Sequence, residues 1–336
     1  MRKKMNKILL VGGSGYIGTV VTDHLLSNGY QVRSLDTFLY RNNHCVLPYL
    51  GRDGYESMYG DLSSKDTLDQ ALAGVDSVLL LAGLVGDPIT KKYPEESRII
   101  NELGVLQVIN QIHGKGIERL IFVSTCSNYG LITDEQLADE NFPLKPLSLY
   151  AKAKVAAEQY ILSLRDKADY SPTILRFATA FGLSPRMRFD LTVSEFTREL
   201  ATGKELLVFD AHTWRPYCHV RDFARLIQKV LEIPNELVAN QVFNAGGDVN
   251  NFTKKMIVDE ILNHVPGAKV RYQEHGADPR NYRVNFQKVR QVLDFEPAYT
   301  VRDGVVELLQ AINGHVFDEV DQQRNLYGNY EINYPA

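Results

Sequence analysis

The chain has 336 residues, 44% of them hydrophobic, which suits a sizeable core in one large or two modest domains and argues against disorder. Its formal charge is −4, with both signs scattered, so it offers no basic field to a nucleic-acid backbone and small-molecule chemistry is the default. Three widely spaced cysteines, Cys45, Cys126 and Cys218, argue against a disulfide framework and for a reduced compartment.

The opening MRKKMNKILLV pairs positive charge with apolar residues as a signal peptide does. Its apolar run, Ile8 to Val11, stops at Gly12, short of the ~7 residues an h-region needs. No stretch approaches the ~18 apolar residues of a spanning helix. The expectation is a cytoplasmic protein with no membrane partner.

Ile8 to Val11 reads as the first strand, and it runs directly into GGSGYIG, with Gly12, Gly15 and Gly18 spaced G-x-x-G-x-x-G. Glycines there allow a tight turn and close approach of a pyrophosphate to backbone N–H groups at a helix N-terminus. The helix follows, Tyr16 to Asn28, with Gly29 as its stop. A second strand, Val32 to Leu35, ends at Asp36. A carboxylate at that place accepts hydrogen bonds from the adenosine ribose hydroxyls and repels a 2′-phosphate, so NAD is favoured over NADP. Asp61-Leu62, after the third strand, fits the adenine edge, although Asp61 alone could equally cap the following helix. Asp66 to Ala73 is a short helix stopped by Gly74, and Val78 to Leu81 is another strand.

Leu120 to Val123 is a further strand, running out into STCSNYG at Ser124 to Gly130. The helix Lys152 to Arg165 follows a loop, and YAKAK near its start sets Tyr150 and Lys154 four apart on one face. An ammonium beside a phenol stabilises phenolate and lowers its pKa from ~10 toward a value usable by a general base. Among 18 tyrosines, only Tyr150 has Lys at i+4. Thr173 to Phe177 is the last clear strand. Strand and helix in alternation predict right-handed crossovers and a parallel sheet covered on both faces.

Beyond Phe177 the pattern loosens. Six prolines, from Pro185 to Pro297, interrupt shorter elements at Leu191 to Thr202, Val220 to Leu231 and Thr253 to Val265. A smaller, irregular region covering the substrate is expected. The tail from Gly314 carries Phe317, Tyr327, Tyr330 and Tyr334 and is expected to pack on something. None of the eight histidines forms H-x-x-x-H or a Cys/His cluster, so no metal site is expected.

GGSGYIG, Asp36, Asp61-Leu62, LLAGLVG at Leu80 to Gly86, Asn101, STCSNYG, YAKAK and LRFATAFG at Leu175 to Gly182 follow one another in an order that resembles the extended short-chain dehydrogenase/reductases. These are the NAD-dependent sugar-nucleotide epimerases and dehydratases. HTWRPYCHVRD at His212 to Asp222 and DPRNYRVN at Asp278 to Asn285 extend the resemblance over nearly the whole chain. It implies an α/β fold, a doubly wound parallel (Rossmann) sheet, with an NAD-binding domain at 1–180. Residues 181–336 are expected to form a smaller C-terminal α/β region that binds a nucleoside-diphosphate sugar and returns some segments to the first domain.

The resemblance also implies residue roles. Cofactor contacts fall on Gly12, Gly15, Tyr16, Ile17, Gly18, Asp36, Asp61, Leu62, Leu81, Ala82, Gly83 and Asn101, together with Tyr150 and Lys154. Tyr150 would take the proton from a sugar hydroxyl, at C4, while hydride passes to the nicotinamide. Thr125, four residues before Tyr129, would hydrogen-bond the same oxygen; Lys154 would hold the nicotinamide ribose and tune Tyr150. Arg215 and Arg280 match diphosphate-binding arginines. Ser127, Thr179, Arg186 and Arg188 are further candidates for substrate contact, although Thr179 stands where many epimerases carry asparagine.

Dehydratases of that family carry Asp-Glu after the threonine, where this chain has Cys126 and Ser127, so dehydration is disfavoured. Strand alternation turns Cys126 away from Thr125, as a small buried hydrophobe rather than a nucleophile. A 4-epimerase and a 4-dehydrogenase both remain open. SPRMRFD at Ser184 to Asp190 resembles a branch that includes GDP-heptose 4-dehydrogenase and hints at the latter. A 4,6-dehydratase or 4-ketoreductase is the alternative chemistry, and a non-catalytic NAD(H) sensor the alternative class. A homodimer through helices at Glu95 to His113 and Ala151 to Arg165 is the family's expectation.

Overall fold

In the computed structural model, which describes residues 6–132, 136–276 and 278–334, the apolar runs become inner strands of one sheet. Its strands are β1 (Lys7–Val11), β2 (Gln31–Asp36), β3 (Tyr55–Tyr59), β4 (Ser77–Leu80), β5 (Arg119–Thr125), β6 (Ser171–Phe177) and β7 (Gln241–Ala245). All pair in parallel, in the order β7-β6-β5-β4-β1-β2-β3. The order reverses between β1 and β4, which opens a crevice at the carboxyl ends of the strands.

Side-chain alternation divides each strand between two helix layers. Ile8 and Leu10 pack with Val21 and Leu25 of helix Tyr16–Ser27 and with Phe223, Ile227 and Val230 of helix Val220–Glu232. Leu9 and Val11 face the opposite layer, with Leu68, Val108 and Ile161. Helices Lys65–Leu72, Val105–Gln111 and Leu149–Ser163 form that second layer.

Two strands lacked an apolar run in the sequence. β3 is an edge strand whose residues are largely exposed, and β7 contributes only Val242 and Phe243 between polar neighbours. β7 lies beyond residue 180 yet pairs with β6, and helix Val220–Glu232 packs on helix Tyr16–Ser27. The C-terminal part of the chain therefore builds part of the sheet and part of the first helix layer.

A third core, with Phe181, Phe189, Phe196, Tyr217 and Val305, belongs to the smaller lobe, where helices Thr192–Ala201, Lys254–Leu262 and Val301–Asn313 assemble. Strands Thr179–Phe181 and Trp214–His219 pair in parallel at its base. Phe317 and Tyr327 of the tail join this core, so the tail does pack. Among the described residues, no helix is long and apolar enough to cross a membrane.

Candidate active site

One cleft, of about 460 Å³, runs along the switch point between the Rossmann sheet and the smaller lobe. At one end β1 passes into the glycine loop. Gly12 has φ +86°, and a Cβ there would come within 2.8 Å of the Ala82 backbone. A Cβ at Gly18 would meet the Gly13 carbonyl oxygen at 2.6 Å, so only glycine lets the helix start this close to the turn. Helix Tyr16–Ser27 has no side-chain cap and no acid in its first turn, which leaves its N-terminal N–H groups free for an anion.

Asp36 ends β2 beside this loop, its oxygens accepting from Ser14 N at 3.0 Å and Phe38 N at 2.9 Å. Burial pushes its carboxyl up, against those backbone donors and Arg186, which lower it. Gly12, Gly15, Tyr16, Ile17, Gly18, Asp61, Leu62, Leu81, Ala82 and Gly83 line the same end of the cleft. The shape and donor set of this end fit a dinucleotide diphosphate with a ribose at the acid.

Asn101 lies off the cleft wall. Buried in a π-helical turn, Ile99–Gly104, it accepts from Leu84 N at 2.7 Å and donates to Leu84 O at 3.0 Å. It therefore braces the loop that carries Leu81, Ala82 and Gly83. The hydroxyl of Tyr16 likewise points away from the cofactor loop, donating to Gly182 O at 2.6 Å.

Thr125, Tyr150 and Lys154 meet midway along the cleft. Ser148 caps helix Leu149–Ser163 by accepting from Ala151 N, which places Tyr150 and Lys154 in its first two turns. Thr125 ends β5, its Oγ1 accepting from Ser127 N at 3.1 Å and keeping its own proton to donate. Lys154 is buried, its Nζ donating to Val123 O at 2.8 Å and lying 5.9 Å from the Tyr150 ring centre. Burial brings its pKa down to about 8.

The expected tuning of Tyr150 by Lys154 takes another form. Burial pushes the Tyr150 phenol up, and the cation that opposes this is Arg188, with Asp87 acting the other way. The lysine ammonium donates instead to a backbone carbonyl, Val123 O.

Behind Thr125 lies a buried polar network that fixes the loop. Glu158 accepts from Ser124 Oγ, from Asn128 Nδ2 at 2.9 Å and from Arg176 Nη2 at 2.7 Å. Arg176 also donates to Tyr129 OH at 3.0 Å, and Tyr129 donates to Asn244 Oδ1 on β7. Cys126 faces this side, with Sγ against Arg176 O, fully buried and its thiol pushed well up by burial. The thiol is buried as expected, but a 3₁₀ turn, Cys126–Tyr129, places it rather than strand alternation, since β5 ends at Thr125.

Arg215 and Arg280 converge at the far end. Both bond Asp278, Arg215 Nη2 at 3.0 Å and Arg280 Nε at 2.8 Å, and together they hold its carboxyl well below the usual range. Arg280 also reaches Asp87 at 3.2 Å and Ser127 Oγ at 3.4 Å. Ser127 meets Tyr282 OH at 3.3 Å, and Thr179 lines the same wall.

Arg186 and Arg188 sit elsewhere than with these arginines. Arg186 stacks on Tyr40, 4.8 Å from its ring centre, on the loop after Asp36, and donates to Gly328 O at 2.9 Å. Arg188 pairs with Asp190 between that loop and Tyr150. Loop SPRMRFD packs on the cofactor loop because Ser184 Oγ bonds Tyr16 O and lies 2.9 Å from Thr19 Oγ1.

Sequence reasoning missed Lys254, Asp278 and Tyr282 at the Arg215 and Arg280 end, and Tyr40 and Asn329 at the other. Asp278 and Tyr282 lie inside DPRNYRVN, two residues either side of Arg280, and were within reach. Lys254 and Asn329 stand in no motif. Burial beside Arg215 pushes Lys254 down.

A model of the NAD-dependent epimerase/dehydratase family matches residues 8–246. UDP-glucose 4-epimerase of Corynebacterium glutamicum is 27% identical over 90% of this chain and 94% of its own length. dTDP-glucose 4,6-dehydratase of Streptomyces niveus is 26% identical over 90% and 92%. The Bacillus cereus UDP-glucuronic acid 4-epimerase, solved with UDP-glucuronic acid and NAD, superposes with a TM-score of 0.83 at 21% identity, covering 92% of this chain and 99% of that one.

Proposed function

The chain belongs to the NAD-dependent epimerase/dehydratase family, and from that membership we propose that it is a 4-epimerase of a nucleotide-activated sugar. The observation that carries this reading is the convergence of Thr125, Tyr150 and Lys154 midway between a dinucleotide cradle and a paired-arginine end of one cleft. NAD, when bound, supplies the electron-pair acceptor for C4 and the positive charge of its nicotinamide ring.

The chain's own residues do the rest. The glycine loop and helix N-terminus hold the cofactor diphosphate, Asp36 the adenosine ribose, and Asp61 with Leu62 the adenine edge. Tyr150 takes the proton of the C4 hydroxyl as that carbon is oxidised, and returns it when the carbon is reduced from the opposite face. Thr125 donates to the same oxygen. Lys154 and Arg188 keep positive charge near the phenol, and Arg215, Arg280 and Lys254 receive the substrate diphosphate.

Elimination of water is disfavoured, because Cys126 is turned into the core and Asp87 and Asp278, the carboxylates beside the paired arginines, are each bonded to an arginine. The hint toward a 4-dehydrogenase loses weight too, since SPRMRFD packs on the cofactor loop rather than beside Arg215. Exposed Leu103, Leu149 and Leu162 on the helical run 94–111 and helix Leu149–Ser163 support a homodimer through these faces, checked by light scattering on an eluting peak.

Incubation with UDP-, GDP-, dTDP- and CDP-sugars, followed by absorbance at 340 nm and product NMR, tests the reading. One sugar nucleotide should give its C4 epimer with no net absorbance change, and Tyr150→Phe should cut turnover by ~100-fold or more. Net absorbance growth points to a dehydrogenase, undiminished turnover in the variant removes Tyr150 as the base, and no turnover of any sugar supports a sensor.

A further inference from the structure

After helix Val301–Asn313 the chain does not end at the smaller lobe but returns across the cleft. Phe317 and Tyr327 pack against Phe189, with ring centres 5.0 and 6.3 Å away, and Phe189 N donates to Tyr327 O at 2.8 Å. The next residues cross the mouth. Gly328 O accepts from Arg186; Asn329 N donates to Asp190 at 3.2 Å and its Nδ2 to Val85 O at 3.0 Å. Lys92 reaches Tyr330 O and Glu331 from the far bank. Ile332 and Tyr334 then settle on the apolar cluster of Leu62 and Ile100, with Asp61 and Ser63 as polar neighbours of the Tyr334 phenol. Asn329, Tyr330 and Tyr334 line the same cleft as Gly12, Asp36 and Asp61.

We propose that residues 328–334 form the outer wall of the cofactor site and govern how fast the dinucleotide leaves it. The inference rests on the reading that this end of the cleft binds NAD. The segment joins the smaller lobe, through Asn329 on Asp190, to the Rossmann loops, through Asn329 on Val85 and Tyr334 beside Asp61. A dinucleotide lying between those loops leaves only when this bridge opens. Its chemistry suits the occupant: an amide and a phenol for ribose or phosphate oxygens, and two aromatic faces for a base. A cleft closed in this way keeps its dinucleotide between turnovers, which suits a redox-neutral reaction better than one that must exchange reduced cofactor each cycle.

The test is NAD exchange by the full-length protein, measured by loading with labelled NAD and chasing with excess unlabelled NAD, alongside circular dichroism to check folding. Each ordinary hydrogen bond is worth roughly fivefold in an equilibrium constant. Asn329→Ala combined with Tyr334→Ala should therefore release NAD at least about tenfold faster than wild type, with an unchanged spectrum. Should the double variant fail to fold, Tyr334→Ala alone, at a half-buried position on the rim, carries the test with a smaller acceleration of about fivefold. Release as slow as wild type overturns the proposal. So does tighter NAD binding by the variant, which would mean that Tyr334 occupies the base's place. Both of these results leave NAD binding itself intact, whereas a wild-type protein that takes up no label even after it has been stripped of bound nucleotide and returned to its native spectrum removes the functional reading together with the inference.

Discussion

Glu158→Gln isolates the cost of the buried charge beneath the Thr125 loop. Glu158 and Arg176 are 1% and 4% exposed, and the carboxylate is the only acid paired with that guanidinium among the described residues. Gln keeps the volume and one acceptor oxygen but turns an N–H₂ toward Arg176 and removes the countercharge. Breaking a buried pair from one side costs about 3–5 kcal/mol, because the remaining charge stays desolvated. Arg176 retains Tyr129 OH and Glu140 O, so the lower end, about 3 kcal/mol, is expected. The shift is read from urea denaturation midpoints at constant slope. Turnover should fall as well, since Ser124 and Asn128, which flank Thr125 and Ser127, both bond the lost carboxylate. Glu158→Leu with Arg176→Met removes both charges and should be far less destabilised than either single change. A Glu158→Gln protein within about 0.5 kcal/mol of wild type would refute the reasoning, since that is the size of an ordinary surface substitution.

Two further outcomes follow from the charges at the cofactor end and the middle of the cleft. Asp36→Ser removes the carboxylate that repels a 2′-phosphate, while Arg186 remains beside it; titration should show NAD weakened and NADP strengthened, each by about tenfold. An unchanged NAD/NADP ratio would detach Asp36 from the ribose. For Lys154, the folded pKa of about 8 lies below its ordinary 10.5. Below pH 8 both states hold the proton and the fold bears the full desolvation cost. Between the two values the unfolded chain binds the extra proton, so stability rises with pH, by about 3 kcal/mol across the window. Comparing Lys154→Met at the same pH values isolates this, and wild type should gain on the variant from pH 8 upward. Parallel curves would mean the ammonium is not desolvated.

What could be read from the sequence, and what could not, follows from how each residue is held. β1, β4 and β5 are buried on both faces, so their apolar runs are self-announcing, and Asp36 is found because it ends the next strand after the glycine loop, β2, whose Val32 and Leu35 are buried. β3 is expected before Asp61 but gets no range from the sequence, because an edge strand needs no apolar face. The glycine loop is legible because backbone crowding against Ala82 excludes side chains there, a constraint local enough to leave a spacing. Arg186 and Arg188 show the opposite case: two arginines in a loop carry no mark of which end of a cleft they serve. Their place is set by Ser184 on Tyr16 and by Tyr40, contacts more than a hundred residues distant in the chain. Asn101 was legible as a polar residue of the right motif, but a buried amide in a π-helical turn satisfies its hydrogen bonds inside the loop it braces, so position alone could not tell a ligand contact from a support. The tail is the extreme of the same effect. Its aromatics signal that it packs, and only the fold brings Asn329, Tyr330 and Tyr334 to the cleft that the glycine loop lines, over 300 residues earlier, where a short bridge across the mouth changes an open crevice into a site with a wall.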